Sequence, residues 1–266
     1  MIILPTSGPK PLYYSTFVGF LKGILNHLSI PFQLSGEASN CYFVAKLDKK
    51  EMVFNFSDFY ETPDVDKFEH YFKFHYSKQE HEKYKNVYSF SPVSFYDWKE
   101  YSKLKSEITY TGENNLILSI QRSYGDAKQR RSYVKSILKE YYGSSCIIGP
   151  TIDQKKYWEL INRCLVHVFV PGARNDILDR AHLQYLAFGC CTISPKINDV
   201  LSYNRELVPG IHYIECLSDY SDLIKRTEWC KSNRNTCVEI GRNAKKLFEE
   251  TCTPNKLWDW VLEKIQ

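Results

Sequence analysis

Two segments in the second half of the sequence combine glycine with clustered cations and acids. The first runs Leu118-Ser119-Ile120-Gln121-Arg122 and continues Ser123-Tyr124-Gly125-Asp126-Ala127-Lys128-Gln129-Arg130-Arg131. It reads as a strand entering a Gly-containing loop ahead of a helix. Backbone N–H groups at such a helix start, together with Arg122 and Lys128, would offer a diphosphate both hydrogen bonds and positive charge. The plainer reading is a solvated helix start, in which the basic run 128–131 opposes the helix dipole. The second segment runs Val168-Phe169-Val170-Pro171-Gly172-Ala173-Arg174-Asn175-Asp176 and leads into Leu178-Asp179-Arg180-Ala181-His182-Leu183-Gln184, ending at Gly189. A buried strand here ends in a Pro-Gly turn, and the next helix starts with an Asp at the cap and ends at a Gly. Asp176 and Gln184 are eight residues apart, about 800° of helix, so they point within roughly 80° of one another and both could reach one ligand, Asp176 from the loop and Gln184 from the helix. The alternative makes Asp176 an N-cap and Gln184 a polar residue on an exposed face.

Such residues need strands and helices in alternation, and the apolar spacing supplies them. Strands are expected over 116–120, 146–149, 165–170, 191–194 and 212–216, with helices over 130–142, 154–164 and 178–188 and further helices beyond. Strands alternating with helices of this length imply a parallel sheet covered on both faces. Ligands bind such sheets outside the carboxyl ends of the strands, which is where both segments fall. In the first half, an apolar run over 1–4 precedes a helix over 14–28 with Phe17, Phe20, Leu21, Ile24 and Leu28 at helical spacing. Runs at 30–34, 41–47 and 52–56 follow; 68–76 fits helix or strand, and 87–95 fits a strand. The polar stretch 99–115 places the linker around 100–114, and the lobes are set at 1–108 and 109–266.

The 266 residues, 43% hydrophobic and 25% charged, exclude disordered and fibrous classes and allow either one large α/β domain or two small ones. The 20 Tyr and 15 Phe point first to core packing. A net charge of +4 is a mild excess compatible with an anionic ligand, a membrane surface or nucleic acid. The nine Cys have neither CxxC pairs nor zinc spacing, so they read as reduced, mostly buried thiols of a cytoplasmic protein. The most apolar stretch, 17–28, is interrupted by Lys22, Asn26 and His27 and falls short of a membrane span.

Residues 174–194 resemble the donor-binding segment of the group-1 glycosyltransferases. In that family a Glu, seven residues, a second Glu, a small apolar stretch, Gly and a short strand follow one another. Gln184-Tyr185-Leu186-Ala187-Phe188-Gly189-Cys190-Cys191-Thr192-Ile193 matches the second half of that pattern, and Asp176 stands where the first Glu belongs. Arg122 and Lys128 lie where the family has an Arg and a Lys, with the spacing one residue longer. Gly210-Ile211-His212-Tyr213, Ile240-Gly241-Arg242-Asn243-Ala244 and the helix holding Trp258 and Trp260 also resemble the family, so the likeness extends from 116 to the end.

The resemblance implies an α/β protein of GT-B type, with two Rossmann-like lobes, a donor cleft between them and a reduced N-terminal lobe. The last helix of that fold often packs back on the first lobe. The implied activity is transfer of a sugar from a UDP- or GDP-linked donor to a glycan or lipid-linked acceptor, with peripheral membrane contact as an allied expectation. Arg122 and Lys128 would hold the diphosphate, with Gly172 and Arg174 beside them. Asp176 would hold the sugar, and Gln184 with Arg180 the ribose or phosphate side. An inverting reaction would need a base on the first lobe, and Asp58, just past the run 52–56, is the carboxylate at a strand end. His75, between aromatics, reads as a packed core histidine, and Asp58 also suits a turn. The loop Ser7-Gly8-Pro9-Lys10 could approach a ligand. No metal or cofactor beyond the nucleotide sugar is expected, because cations and helix N-termini can stabilise a leaving diphosphate. A DNA-modifying glucosyltransferase, a non-catalytic sugar-nucleotide-binding domain and an epimerase are the alternatives.

Overall fold

The computed structural model describes residues 1–8, 11–39, 42–92, 98–107, 110, 114–121, 125–149 and 153–266. The chain divides into two compact units. The first comprises residues 1–103, 199–206 and 250–266; the second comprises 104–198 and 207–249. The N-terminal unit therefore takes back two later segments that a single boundary at 108 leaves in the C-terminal lobe.

The first unit is built on β1 (Ile2–Leu4), α1 (Pro11–His27), β2 (Phe32–Leu34), β3 (Tyr42–Leu47), β4 (Lys50–Asn55), β5 (His70–Lys73), α2 (Lys78–His81), β6 (Val87–Ser89) and the start of α3 (Trp98–Glu107). Its six strands lie in the order β2-β1-β3-β4-β5-β6. β3 is antiparallel to both neighbours, and the remaining pairs are parallel. The β3–β4 hairpin turns at Asp48, whose φ of 54° lies in the left-handed region that Asp tolerates. Aromatic residues fill the core: Phe54 stacks on Phe72 at 5.1 Å, and Phe17 of α1 lies flat on Phe56 at 4.8 Å. Packing thus accounts for much of the aromatic content in this unit. The segment 68–76, open between helix and strand, supplies β5.

The expected linker is corrected by α3. Trp98, Tyr101 and Leu104 are buried on one side of a helix whose other positions are mostly Lys, Ser and Glu. A narrow apolar stripe is enough to dock a helix whose composition looks like a loop.

The second unit contains β7 (Ile117–Ser119), α4 (Ala127–Tyr142), β8 (Cys146–Ile148), α5 (Gln154–Arg163), β9 (Val166–Val168), α6 (Arg180–Phe188) and β10 (Thr192–Ser194). The chain then returns β11 (Val200–Leu201) and β12 (Arg205–Glu206) to the first unit. The second unit resumes with β13 (Ile214–Glu215), α7 (Leu223–Ser232) and most of α8 (Arg234–Thr251), and α9 (Pro254–Ile265) completes the first. The five strands β13-β10-β9-β7-β8 are all parallel. Every residue of β7, β9 and β10 is buried, the unalternating pattern of strands covered on both faces. α6 stops at Gly189, whose φ of 73° closes the helix, and a Cβ on Gly241 of α8 would lie 2.1 Å from the Gly189 carbonyl oxygen.

In the first unit, the Trp260 indole of α9 donates to the Ser89 carbonyl at 2.8 Å, and its ring lies 4.7 Å from that of Tyr203. Both returning segments therefore pack on the end of β6. Among the described residues no helix is long and apolar enough to cross a membrane. Of the described cysteines all are free, and all but Cys146 are buried.

Candidate functional site

In the second sheet, β7 is flanked by β8 on one side and β9 on the other, so the winding direction reverses between β7 and β9. A switch point of this kind opens a crevice at the carboxyl edge. Its two walls are tied by Gln121, the second residue past β7. The Gln121 Oε1 accepts from the Val170 N–H at 2.8 Å, and its Nε2 donates to the Val170 carbonyl at 3.0 Å.

α4 braces the same edge. Its buried stripe is Ala127, Arg131, Val134, Leu138 and Tyr142, so one position of an apolar face is a cation. The Arg131 Nε donates to the Val170 carbonyl at 3.0 Å, and its guanidinium reaches the Asp179 carboxylate at 3.3 Å. Arg130 donates to the Gly172 carbonyl, and the Lys135 ammonium to the Gln121 carbonyl at 2.6 Å. Burial lowers the Lys135 pKa, and Arg131 adds to the effect. Asp179 caps α6, accepting from the Ala181 N–H at 2.8 Å. Its burial raises the carboxyl pKa despite the neighbouring Arg131.

Of the residues singled out from the sequence, Lys128 is exposed in the first turn of α4 and Arg180 is exposed at the start of α6. Gly172 follows β9, and Arg174 and Asp176 lie in the turn beyond it. Arg174 holds Asp176 through two contacts, Nε to Oδ1 at 3.0 Å and Nη2 to Oδ2 at 3.1 Å, and the Asn198 amide donates to Oδ2 at 2.9 Å. Burial pushes the Asp176 pKa up, but Arg174 and Asn198 outweigh it and leave the carboxyl below its ordinary value. The turn is fixed from the other side by Asn175, which donates to the Ser218 carbonyl and accepts from the Tyr220 hydroxyl. Lys128, Gly172, Arg174, Asp176 and Arg180 thus share one sheet edge. Arg122 lies outside the described residues, as do Pro9 and Lys10.

Two expectations are corrected here. α6 begins at Arg180 with Asp179 as its cap, so Asp176 sits in a turn and the helical angle relating it to Gln184 does not apply. Gln184 is buried, and its Oε1 accepts from the Trp158 indole at 3.3 Å, facing α5. Gln121, Arg131 and Asp179 hold positions at this edge that the sequence marks only faintly. The clue to Asp179 was its place two residues before Ala181, where a cap must stand; the clue to Arg131 was its helical register with Val134 and Leu138.

The first unit has its own polar cluster past the carboxyl ends of β4 and β5. The Lys73 ammonium, fully buried, donates to Asn55 Oδ1 and the Ser57 carbonyl, both at 3.1 Å. This pins the loop that carries Asp58. His75 is buried, with Nδ1 2.7 Å from Asp199 Oδ2 and Nε2 3.8 Å from Asp58 Oδ1. Asp199 is held by the backbone, since the Val200 N–H donates to the Tyr76 carbonyl at 2.8 Å and Ser77 bridges to Asp199. Asp64-Val65-Asp66 forms an Asp-x-Asp triplet, but the Asp64 carboxylate is engaged by Lys67 at 2.6 Å and the Tyr42 hydroxyl at 2.9 Å. Among the described residues no cluster of His, Cys, Asp and Glu has the makings of a metal site.

No protein-family model matches the chain. Over 83 residues it is 30% identical to uncharacterized protein 179R of Invertebrate iridescent virus 6, a stretch amounting to 29% of this chain and 7% of that protein. Its fold is similar to that of Anabaena Alr3699/HepE, solved in complex with UDP and glucose. The TM-score is 0.50 at 9% identity, over 74% of this chain and 63% of the Anabaena chain. The chain thus spans less than two thirds of either relative. The likeness establishes a mixed α/β, Rossmann-like fold.

Proposed function

We propose that the chain transfers a sugar from a nucleotide-diphosphate donor to an acceptor hydroxyl. The observation that carries the reading is the gathering of Lys128, Arg174 and Arg180 with Asp176 at the switch-point edge of the second sheet. α4 has no acid in its first turn, and its N-cap residue Asp126 makes no side-chain hydrogen bond to the helix, so the N–H groups of that helix end remain open toward the edge, whereas the start of α6 is capped by Asp179. Lys128 with Arg122 holds the diphosphate, the backbone at Gly172 lines its path, Arg180 takes the ribose or phosphate side, and Asp176, steadied by Arg174, meets the sugar. These cations and the start of α4 would stabilise the leaving diphosphate without a metal. The fold likeness to a protein solved with UDP and glucose favours a uridine nucleotide, and a guanosine nucleotide is the second candidate. A glycan or lipid-linked glycan is the acceptor this reading favours, and Asp58 is its candidate base.

The burial of Gln184 favours a second reading, a domain that binds a sugar nucleotide without transferring it, because the expected ribose partner is turned toward Trp158. Melting temperatures with a panel of nucleotides and nucleotide sugars separate the cases, since a ligand of the folded state raises the midpoint. A shift with one nucleotide family that weakens in Lys128→Ala, and an added shift from the sugar that disappears in Asp176→Ala, is the expected result. Release of free nucleotide over time points to transfer or hydrolysis, and a shift without release to the binding domain. No shift with any nucleotide at millimolar concentration sinks both.

A further inference from the structure

Asp199, His75 and Asp58 run from the interior of the first unit to its surface. Asp199 and His75 are 2% and 1% exposed, whereas the Asp58 side chain is 55% exposed. A ligand hydroxyl can therefore reach Asp58 and cannot reach the imidazole. The ring is held by its Nδ1 contact to Asp199, which leaves Nε2 turned to Asp58. The separation of 3.8 Å is too long for a hydrogen bond and short enough for charge attraction, which solvent at the exposed Asp58 weakens.

We propose that these three side chains activate the acceptor together: Asp58 takes the proton of the acceptor hydroxyl, and His75, oriented by Asp199, is the positioning residue that keeps Asp58 ionised and aimed. The proposal rests on the transferase reading above. As the acceptor oxygen bonds to the anomeric carbon, the bond from that carbon to the diphosphate oxygen breaks. The diphosphate leaves with the electron pair, and the acceptor proton passes to a carboxylate oxygen of Asp58.

The groups around the imidazole agree with a cationic ring. Asp199 ahead of β11, Asp58 in the loop after β4 and Lys73 of β5 act on it, and His81 of α2 shares Lys73 and Asp199 with it. Burial favours the neutral ring, but Asp199 by charge and hydrogen bond, with help from Asp58, outweighs both burial and Lys73, so the His75 pKa stands above its ordinary value. Burial drives His81 toward its neutral form, and its ring is taken up by the backbone of Ser77 and Tyr60.

Histidine-selective 15N NMR on the full chain tests the coupling without needing activity. The His75 titration midpoint is expected above the ordinary value of about 6.5, falling by roughly half a unit to one unit in Asp58→Asn and further in Asp199→Asn. Asp58→Asn alters an exposed side chain and keeps the test valid if Asp199→Asn fails to fold. A midpoint that ignores Asp58→Asn overturns the proposal. In turnover, the acid limb of kcat/KM should move up by about one pH unit in His75→Gln with donor KM unchanged, and an unmoved limb overturns it as well. Nucleotide-induced thermal shifts separate the two possible failures. Their absence in the parent protein sinks the transferase reading itself, and their persistence beside an indifferent His75 sinks the relay alone.

Discussion

The side-chain amide of Gln121 mimics a neighbouring strand for Val170. It accepts the N–H at 2.8 Å and donates to the carbonyl at 3.0 Å, across 49 residues of sequence. Main-chain pairing between β7 and β9 stops short of this point, and one glutamine extends it to the lip of the crevice. Val170 is 1% exposed, so its N–H has no recourse to water. Gln121→Ala should lower stability by about 1–3 kcal/mol, measured by urea denaturation. Gln121→Glu should cost more, because a carboxylate oxygen would face the Val170 carbonyl.

Arg131 and Asp179 join two helices through a pair in which the arginine is 4% exposed. Removing the arginine strands a carboxyl whose pKa burial already raises. Arg131→Ala is expected to cost about 3–5 kcal/mol, whereas Arg180→Ala, at an exposed position one residue from the same acid, should stay within about 0.5 kcal/mol. Parallel denaturation curves for the two variants make the comparison.

The Asp176 carboxyl is held below its ordinary pKa: burial opposes ionisation, and Arg174 and Asn198 more than offset it. A depressed acid stabilises the fold fully above the unfolded-state pKa and loses that contribution as pH falls through the folded value. The difference in urea midpoint between the parent and Asp176→Asn should therefore be present at neutral pH and shrink below about pH 4. A gap that stays constant down to acid pH would show that the ion pair carries none of the effect.

Gly241 admits no side chain, because a Cβ there would meet the Gly189 carbonyl oxygen at 2.1 Å and its carbon at 2.9 Å, both backbone atoms. Gly241→Ala should cost about 2–3 kcal/mol or more in thermal or chemical unfolding. At Gly149 the nearest neighbour of a new Cβ would be the flexible Ile120 side chain at 3.9 Å, so Gly149→Ala should be neutral or slightly stabilising.

The second sheet was legible because β7, β9 and β10 are buried on both faces and read as unbroken apolar runs. The position of Lys128, Arg174 and Asp176 at that sheet edge could be read for the same reason, since loop position follows from strand position in a parallel sheet. α3 was hidden by its charged outer face, and Gln184 misled because a polar residue in a helix suggests an outward face when the partner, Trp158, comes from another helix. Nothing local marks His75 as more than a core residue. Its partner Asp199 is 124 positions away, beyond the whole β7–β10 region, and only the return of the chain to the first unit brings them together.

That return also sets an order of events at the ribosome. Ser89 is synthesised 171 residues before the Trp260 that covers the end of its strand. At translation speeds of about 5–20 residues per second, β6 waits roughly 10–30 s for its lid. The second unit is complete once residue 249 has emerged, while the first still lacks α9. The N-terminal unit is thus completed after the second, and the end of β6 is the surface a nascent-chain chaperone would meet until Trp260 arrives.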